Sequence, residues 1–186
     1  MARLETSRRT RRVVTAILLV ACAAASPRAA SAQSREESRA RAERDSFVGQ
    51  RTALMWTLAG WALTSVAVGA AMTTSDDRGV RHAGVQNVAW GGIDGAIAGY
   101  ALFAGRHDRD REETEATWRA ERAGLQRVFV INAALDVVYV AVGAALVLFA
   151  KDEGLRGTGA GVLTQGGFLL AFDSTGALVA APSQRR

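Results

Sequence analysis

The chain is 186 residues long, 49% hydrophobic and 22% charged, and its apolar residues fall in long blocks, which excludes an ordinary soluble domain. Its net charge of +5 resides in the first 32 residues, because beyond Ala32 there are 17 basic and 17 acidic side chains; no electrostatic case for nucleic-acid binding remains. The one cysteine, Cys22, also precedes that point, which removes disulfides, thiol catalysis and thiolate metal sites from the rest of the chain.

Residues 1–32 read as a secretory signal. Arg3, Arg8, Arg9, Arg11 and Arg12 form a basic start, 13–25 is an apolar run, and Ala30-Ser31-Ala32 supplies the small residues of a cleavage site. An apolar run of 13 residues is shorter than the roughly 20 that cross a bilayer. Cleavage after Ala32 makes Gln33 the mature N-terminus. A competing site is Cys22, whose setting Leu19-Val20-Ala21-Cys22 resembles the lipobox at which bacterial lipoproteins are lipidated and cut.

Residues 33–51 form a polar, charge-mixed lead-in, expected to be solvated. A first span, 53–73, runs 21 residues without a charge, and at a rise of about 1.5 Å per residue it reaches about 30 Å. A short polar loop, 75–84, leads to a second span at 85–103. The connection 105–127 is dense in both charges, and its part 112–126 has the composition of an exposed helix. A third span follows at 128–150, a loop at 151–157, a glycine-rich fourth span at 158–181, and a tail at 182–186. The expected fold is all-α: an integral membrane bundle of four transmembrane helices after a cleaved N-terminal signal peptide.

Two signals disagree over orientation. A signal peptide delivers the mature N-terminus to the periplasm and leaves 75–84 and 151–157 in the cytoplasm. Those loops hold only Arg78, Arg81, Lys151 and Arg156, whereas 105–127 alone holds six arginines, and the positive-inside rule favours the opposite topology. The signal acts first during export, and the expectation follows it.

Three of the apolar runs each contain one aspartate: Asp94, Asp136 and Asp173. Carboxylates at bilayer depth are costly, so these must face protein or water. Asn87 and Asp94 are seven apart in the second span, beside Gly91, Gly95 and Gly99, which repeat every four residues as a small-xxx-small packing surface. Asn132, Asp136, Tyr139 and Gly143 share one face of the third span. Gln165 and Asp173 sit eight apart in the fourth, next to the packing pair Gly166 and Gly167. By their depths the three acids can meet in one layer, where like charges out of water cannot all ionise. Such a layer has two readings: interhelical hydrogen bonding that holds the bundle together, or a proton- or cation-binding site of a transporter, channel or ligand-binding protein.

Enzymatic readings are weaker. Gly91-Gly92-Ile93-Asp94 is similar to the Gly-x-Gly-Asp of intramembrane aspartic proteases, but Ile93 replaces the second glycine and the Tyr-Asp partner motif is absent. His82 and His107 flank one span and so face opposite sides of the membrane, which prevents a shared metal. His107-Asp108, with Asp110 and Glu112, reads as a solvated charge run. Gly157-Thr158-Gly159-Ala160-Gly161 follows no strand and lacks the Walker lysine, so it is not a phosphate loop. Trp56 is placed to anchor at the membrane interface, and Trp61 and Trp90 to pack against glycines. No catalytic residue, metal or cofactor is assigned. The partners expected are the bilayer itself and, through its helix faces, a second copy of the chain or another membrane protein.

Gly60-Trp61-Ala62, Gln86-Asn87 with Trp90, Ile131-Asn132 with Leu135-Asp136 and Tyr139, and Gln165-Gly166-Gly167-Phe168-Leu169-Leu170 ending at Phe172-Asp173 together resemble an uncharacterised family of small bacterial four-helix membrane proteins. The resemblance covers roughly residues 50–175. It implies a signal peptide and the bacterial cytoplasmic membrane, and it implies no activity. At Asp94 this chain departs from the amide or neutral residue expected there.

Overall fold

The structure is a computed structural model that describes residues 27–108, 110–111 and 114–182. The segment before Pro27, which holds Cys22 and most of the expected signal, lies outside the described residues. The chain divides into two compact units, Met1–Glu43 and Arg44–Arg186, and the bundle described here is the second.

Among the described residues four long helices carry the fold: α1 Pro27–Thr73, α2 Arg78–Ala104, α3 Glu115–Phe149 and α4 Glu153–Ala180, with a 3-10 turn at Gly105–His107 between α2 and α3. No strand occurs among the described residues. Three helices start on a side-chain cap that accepts an otherwise orphaned backbone N–H: Asp77 from Val80 at 2.9 Å, Thr114 from Thr117 at 3.3 Å and Asp152 from Leu155 at 2.9 Å. Asp152 also receives Arg78 at 2.8 Å, tying the start of α2 to the turn before α4. The Leu155 N–H first, and then the Arg78 charge, hold the Asp152 carboxyl below its ordinary range.

Among the described residues three helices have the length and hydropathy to cross a membrane: the α1 segment Ser31–Thr73, α3 and α4. α2 does not reach that composition. At 27 residues it is long enough, but Arg78, Arg81, Gln86, Asn87, Asp94 and its glycines lower its mean hydropathy.

Burial is inverted relative to a water-soluble bundle. Leu63, Tyr100, Leu148, Phe149 and Leu178 are each more than 70% exposed, while Asn87, Asp94, Asp136, Gln165 and Asp173 are buried. Water would penalise that outer surface and favour the opposite arrangement, whereas hydrocarbon accepts it. The apolar core is small: Phe47, Met55, Leu58, Ala98, Phe129, Leu169, Phe172 and Ala180.

Close backbone approach does much of the packing. A Cβ on Gly69 would lie 2.7 Å from the Gly84 carbonyl oxygen, and the reverse holds for Gly84, so α1 and α2 meet backbone to backbone. Gly91 meets Ala62 and Ser65 in the same interface, Gly143 of α3 meets Gly159 and Leu163 of α4, and Gly166 meets Tyr139 and Val140. Two expectations need correction. Nothing lies within 4 Å of a Cβ on Gly99 or Gly167, so the packing stripe of α2 within this chain ends at Gly95, where an added Cβ would lie 3.6 Å from that of Ala62. The four-residue spacing drifts about 40° per step on a helix and carries Gly99 off the contact face.

Three further expectations change. The segment 33–51 is part of α1 and is not wholly solvated: Phe47 and Val48 are buried. The charge-dense segment before the third span is continuous with it in α3, and Trp118 there is buried. The glycines at 157–161 lie inside α4, which starts at Glu153 instead of 158.

Candidate functional site

Two polar layers cross the bundle, about 10–12 Å apart by the seven residues from Asn87 to Asp94 and the eight from Gln165 to Asp173.

The first is an amide layer around Gln165, which is 1% exposed. Its Oε1 accepts from the Trp61 indole N–H at 2.8 Å. Its Nε2 donates to Asn87 Oδ1 at 2.7 Å and to Ser65 Oγ at 3.1 Å. Asn87 Nδ2 in turn approaches Met72 Sδ at 3.6 Å, a weak acceptor. Both amide N–H donors of Gln165 and one lone pair of its oxygen are used, so α1, α2 and α4 are pinned in register by one side chain. The Trp61 ring stacks on Phe168 at 4.1 Å and 7°, which fixes the indole edge that donates. Trp61 and Trp90 were expected against glycines; Trp61 instead takes this aromatic partner, and Trp90 meets Tyr139 edge-on at 5.3 Å.

The second is an acid layer from α2, α3 and α4. Asp94 and Asp136 are 3% exposed and Asp173 is 5% exposed. The Asp136 and Asp173 carboxyls are within hydrogen-bonding reach of each other, Asn132 reaches Asp173, and the three acids are electrostatic neighbours. Oδ2 of Asp94 and Oδ2 of Asp136 are buried with no hydrogen-bond partner among the described residues. No Lys or Arg stands in α2 between Arg81 and the helix end, in α3 after Arg127, or in α4 after Arg156, so no cation of these helices balances the cluster. Two carboxyls can hydrogen-bond each other only when one of them carries a proton. Tyr139 and Asn132, expected in the interior layer on the same face as Asp136, are exposed, although Asn132 still reaches Asp173. Among the described residues no three His, Cys, Asp or Glu side chains are arranged to hold a metal ion.

A third cluster lies at the end of the bundle where α2 runs into the 3-10 turn. Asp108, expected in a solvated charge run, is buried: Arg51 of α1 pairs with it, Arg111 lies 3.5 Å away, and Arg44 donates to the Arg111 carbonyl at 2.9 Å. Arg122 donates to the last carbonyls of α4, at Val179 and Ala180, 3.3 and 3.2 Å away, satisfying helix-end acceptors. His82 and His107 stand at opposite ends of α2, the first in its second turn and the second just beyond its C-terminus.

Sequence reasoning missed the partners of Gln165 and the whole Asp108 cluster. A signal for the first existed: Trp61, Ser65 and Gly69 recur every four residues on α1. None existed for the second, because Arg51 and Asp108 are 57 residues apart and meet only in the folded chain.

Compared with known proteins, residues 57–174 match the model of a family described as a family of unknown function (DUF6992). No curated protein matches. No solved structure matches either.

Proposed function

This chain belongs to that family of unknown function, and we propose that it is a four-span protein of the bacterial cytoplasmic membrane whose acid layer is a proton-binding site. The amide layer is its scaffold. A cleaved signal places the mature N-terminus and the connection 105–127 in the periplasm, and α2 crosses the bilayer with its polar face against α1 and α4. The observation that carries the proposal is the pair of buried, unpartnered oxygens on Asp94 and Asp136 beside the Asp136–Asp173 contact. A layer that served only to hold helices together would end with its acceptors satisfied, as the Gln165 layer does. Buried, uncompensated carboxyl groups in a membrane mark proton paths. A proton suits the cluster because two carboxyls in hydrogen-bonding contact must share one.

The test uses Asp136→Asn and Asp136→Leu in purified protein. The protonated-carboxyl infrared band is followed from about pH 5 to about pH 9, a window that brackets buried carboxyls. The wild-type band should change with pH, and Asp136→Asn should fold yet diminish and shift that change, since the amide keeps the size and hydrogen-bonding capacity of the acid but removes the shared proton. Asp136→Leu should also destabilise the bundle by leaving Asp173 without its neighbour. A wild-type band that is constant across the window, with a silent Asn variant, would leave the acid layer as scaffold.

A further inference from the structure

At the end of the bundle that carries Asp108, α1, the last turn of α2 and the 3-10 turn line an open pocket of about 340 Å³, within the roughly 300–1,000 Å³ of small-ligand sites. Its walls are of two kinds. Arg51 and Arg106 form one, with no carboxylate among the lining residues, and Met55, Trp56 and Leu102 form the other. Trp56 is 65% exposed, as a residue facing a lipid interface would be.

The guanidinium groups are held but not exhausted. Asp108 takes Nη2 of Arg51. Arg106 donates Nε to His107 Nε2 at 3.2 Å and Nη1 to the Phe103 carbonyl at 2.8 Å, with its guanidinium 3.6 Å over the Phe103 ring. A guanidinium has five N–H donors in a planar fork suited to phosphoryl oxygens, and these contacts leave Nη1 of Arg51 and Nη2 of Arg106 for such an acceptor. Arg51 lies two residues before the first span, 53–73, and Arg106 three residues after the second, 85–103, so both reach the depth of lipid phosphates. The apolar wall continues from there toward the hydrocarbon.

We infer that this pocket binds an anionic phospholipid, with its phosphodiester between Arg51 and Arg106 and an acyl chain along Met55, Trp56 and Leu102. A pair of guanidinium forks suits a phosphodiester in either leaflet, and on the topology proposed above the leaflet is the periplasmic one. The inference rests on the membrane-spanning reading. It is independent of the acid layer.

The full chain is reconstituted in vesicles of equal phosphatidylglycerol and phosphatidylcholine, washed with alkaline carbonate, extracted in mild detergent, and its retained lipid measured by native mass spectrometry. Phosphatidylglycerol should be retained in preference to phosphatidylcholine. Arg106→Gln should weaken that retention about fivefold, and the double variant with Arg51→Gln about 25-fold, as the loss of about 1 kcal/mol per basic residue implies. Because Arg51→Gln also deprives Asp108 of a partner, Arg106→Gln alone decides the matter if the double variant fails to fold. Equal retention of the two lipids by protein resident in the bilayer overturns this proposal alone, as does unchanged retention by Arg106→Gln. Inorganic phosphate that binds and displaces nothing lipidic would assign the same phosphoryl chemistry to a soluble anion and overturn the lipid. Protein washed out of the vesicles by carbonate would overturn the membrane reading itself.

Discussion

Replacing Gln165 by leucine removes the side chain on which three helices converge while nearly preserving its volume. Three hydrogen bonds are lost, from Trp61 and to Asn87 and Ser65. At about 0.6 kcal/mol for each interhelical bond in a membrane protein, the loss is about 2 kcal/mol. The Trp61 N–H and Asn87 Oδ1 are then left in an apolar interior, which adds roughly 1–3 kcal/mol if neither finds water. Gln165→Leu should therefore destabilise the bundle by about 2–5 kcal/mol, read by reversible unfolding in a series of mixed detergent micelles with tryptophan fluorescence as the signal. The pairwise part is isolated by a double-mutant cycle with Trp61→Phe, which keeps the stack on Phe168 but deletes the donor. A coupling of about 0.5–1 kcal/mol is expected. A Gln165→Leu variant within about 0.5 kcal/mol of wild type, a difference ordinary for surface changes, or a cycle with no coupling, would refute the scaffold role given to this layer.

Gly143→Val should destabilise the bundle by about 1–3 kcal/mol, because its Cβ would sit 2.6 Å from the Leu163 backbone nitrogen, whereas Gly99→Ala and Gly167→Ala, with nothing near the added carbon, should be neutral or stabilising by up to about 1 kcal/mol; thermal unfolding of the three variants separates them. The Asp152 carboxyl is held below its ordinary range chiefly by the Leu155 N–H, so it adds stability above its unfolded value of about 3.9, and that stability is lost as pH falls through the lower folded value. Asp152→Asn should flatten this acid limb of an unfolding-versus-pH curve, and an unchanged limb would refute the cap. Cysteines placed singly at Ser75 and Thr114 should react oppositely with an impermeant thiol reagent, Thr114 from the periplasmic side; labelling of Ser75 alone would mean that the arginines of 105–127 set the topology.

The sequence by itself determined the helical class of the described residues, where the main apolar runs lie, and that Asp94, Asp136 and Asp173 interrupt those runs with groups costly to place in hydrocarbon. These are local or additive properties: helix periodicity, run length and the cost of a charge in hydrocarbon act on one segment at a time. Boundaries were less legible where composition changes inside a continuous helix. Charged residues at 115–127 and buried Phe47 before the first span belong to helices that extend past the apolar run, since water solvates a helix end that lipid does not require. Only the tertiary structure decided which polar residue meets which. Gln165 was legible as a polar residue in a span, but not as the partner of Trp61, Ser65 and Asn87, and the three acids could be brought to one layer by depth but not sorted into the Asp136–Asp173 contact. Asp108 looked solvated until Arg51 came to it from across the fold. Partner choice depends on helix rotation and offset, which are set by backbone approach at Gly69, Gly84, Gly143 and Gly159, and those contacts exist only once the helices are packed.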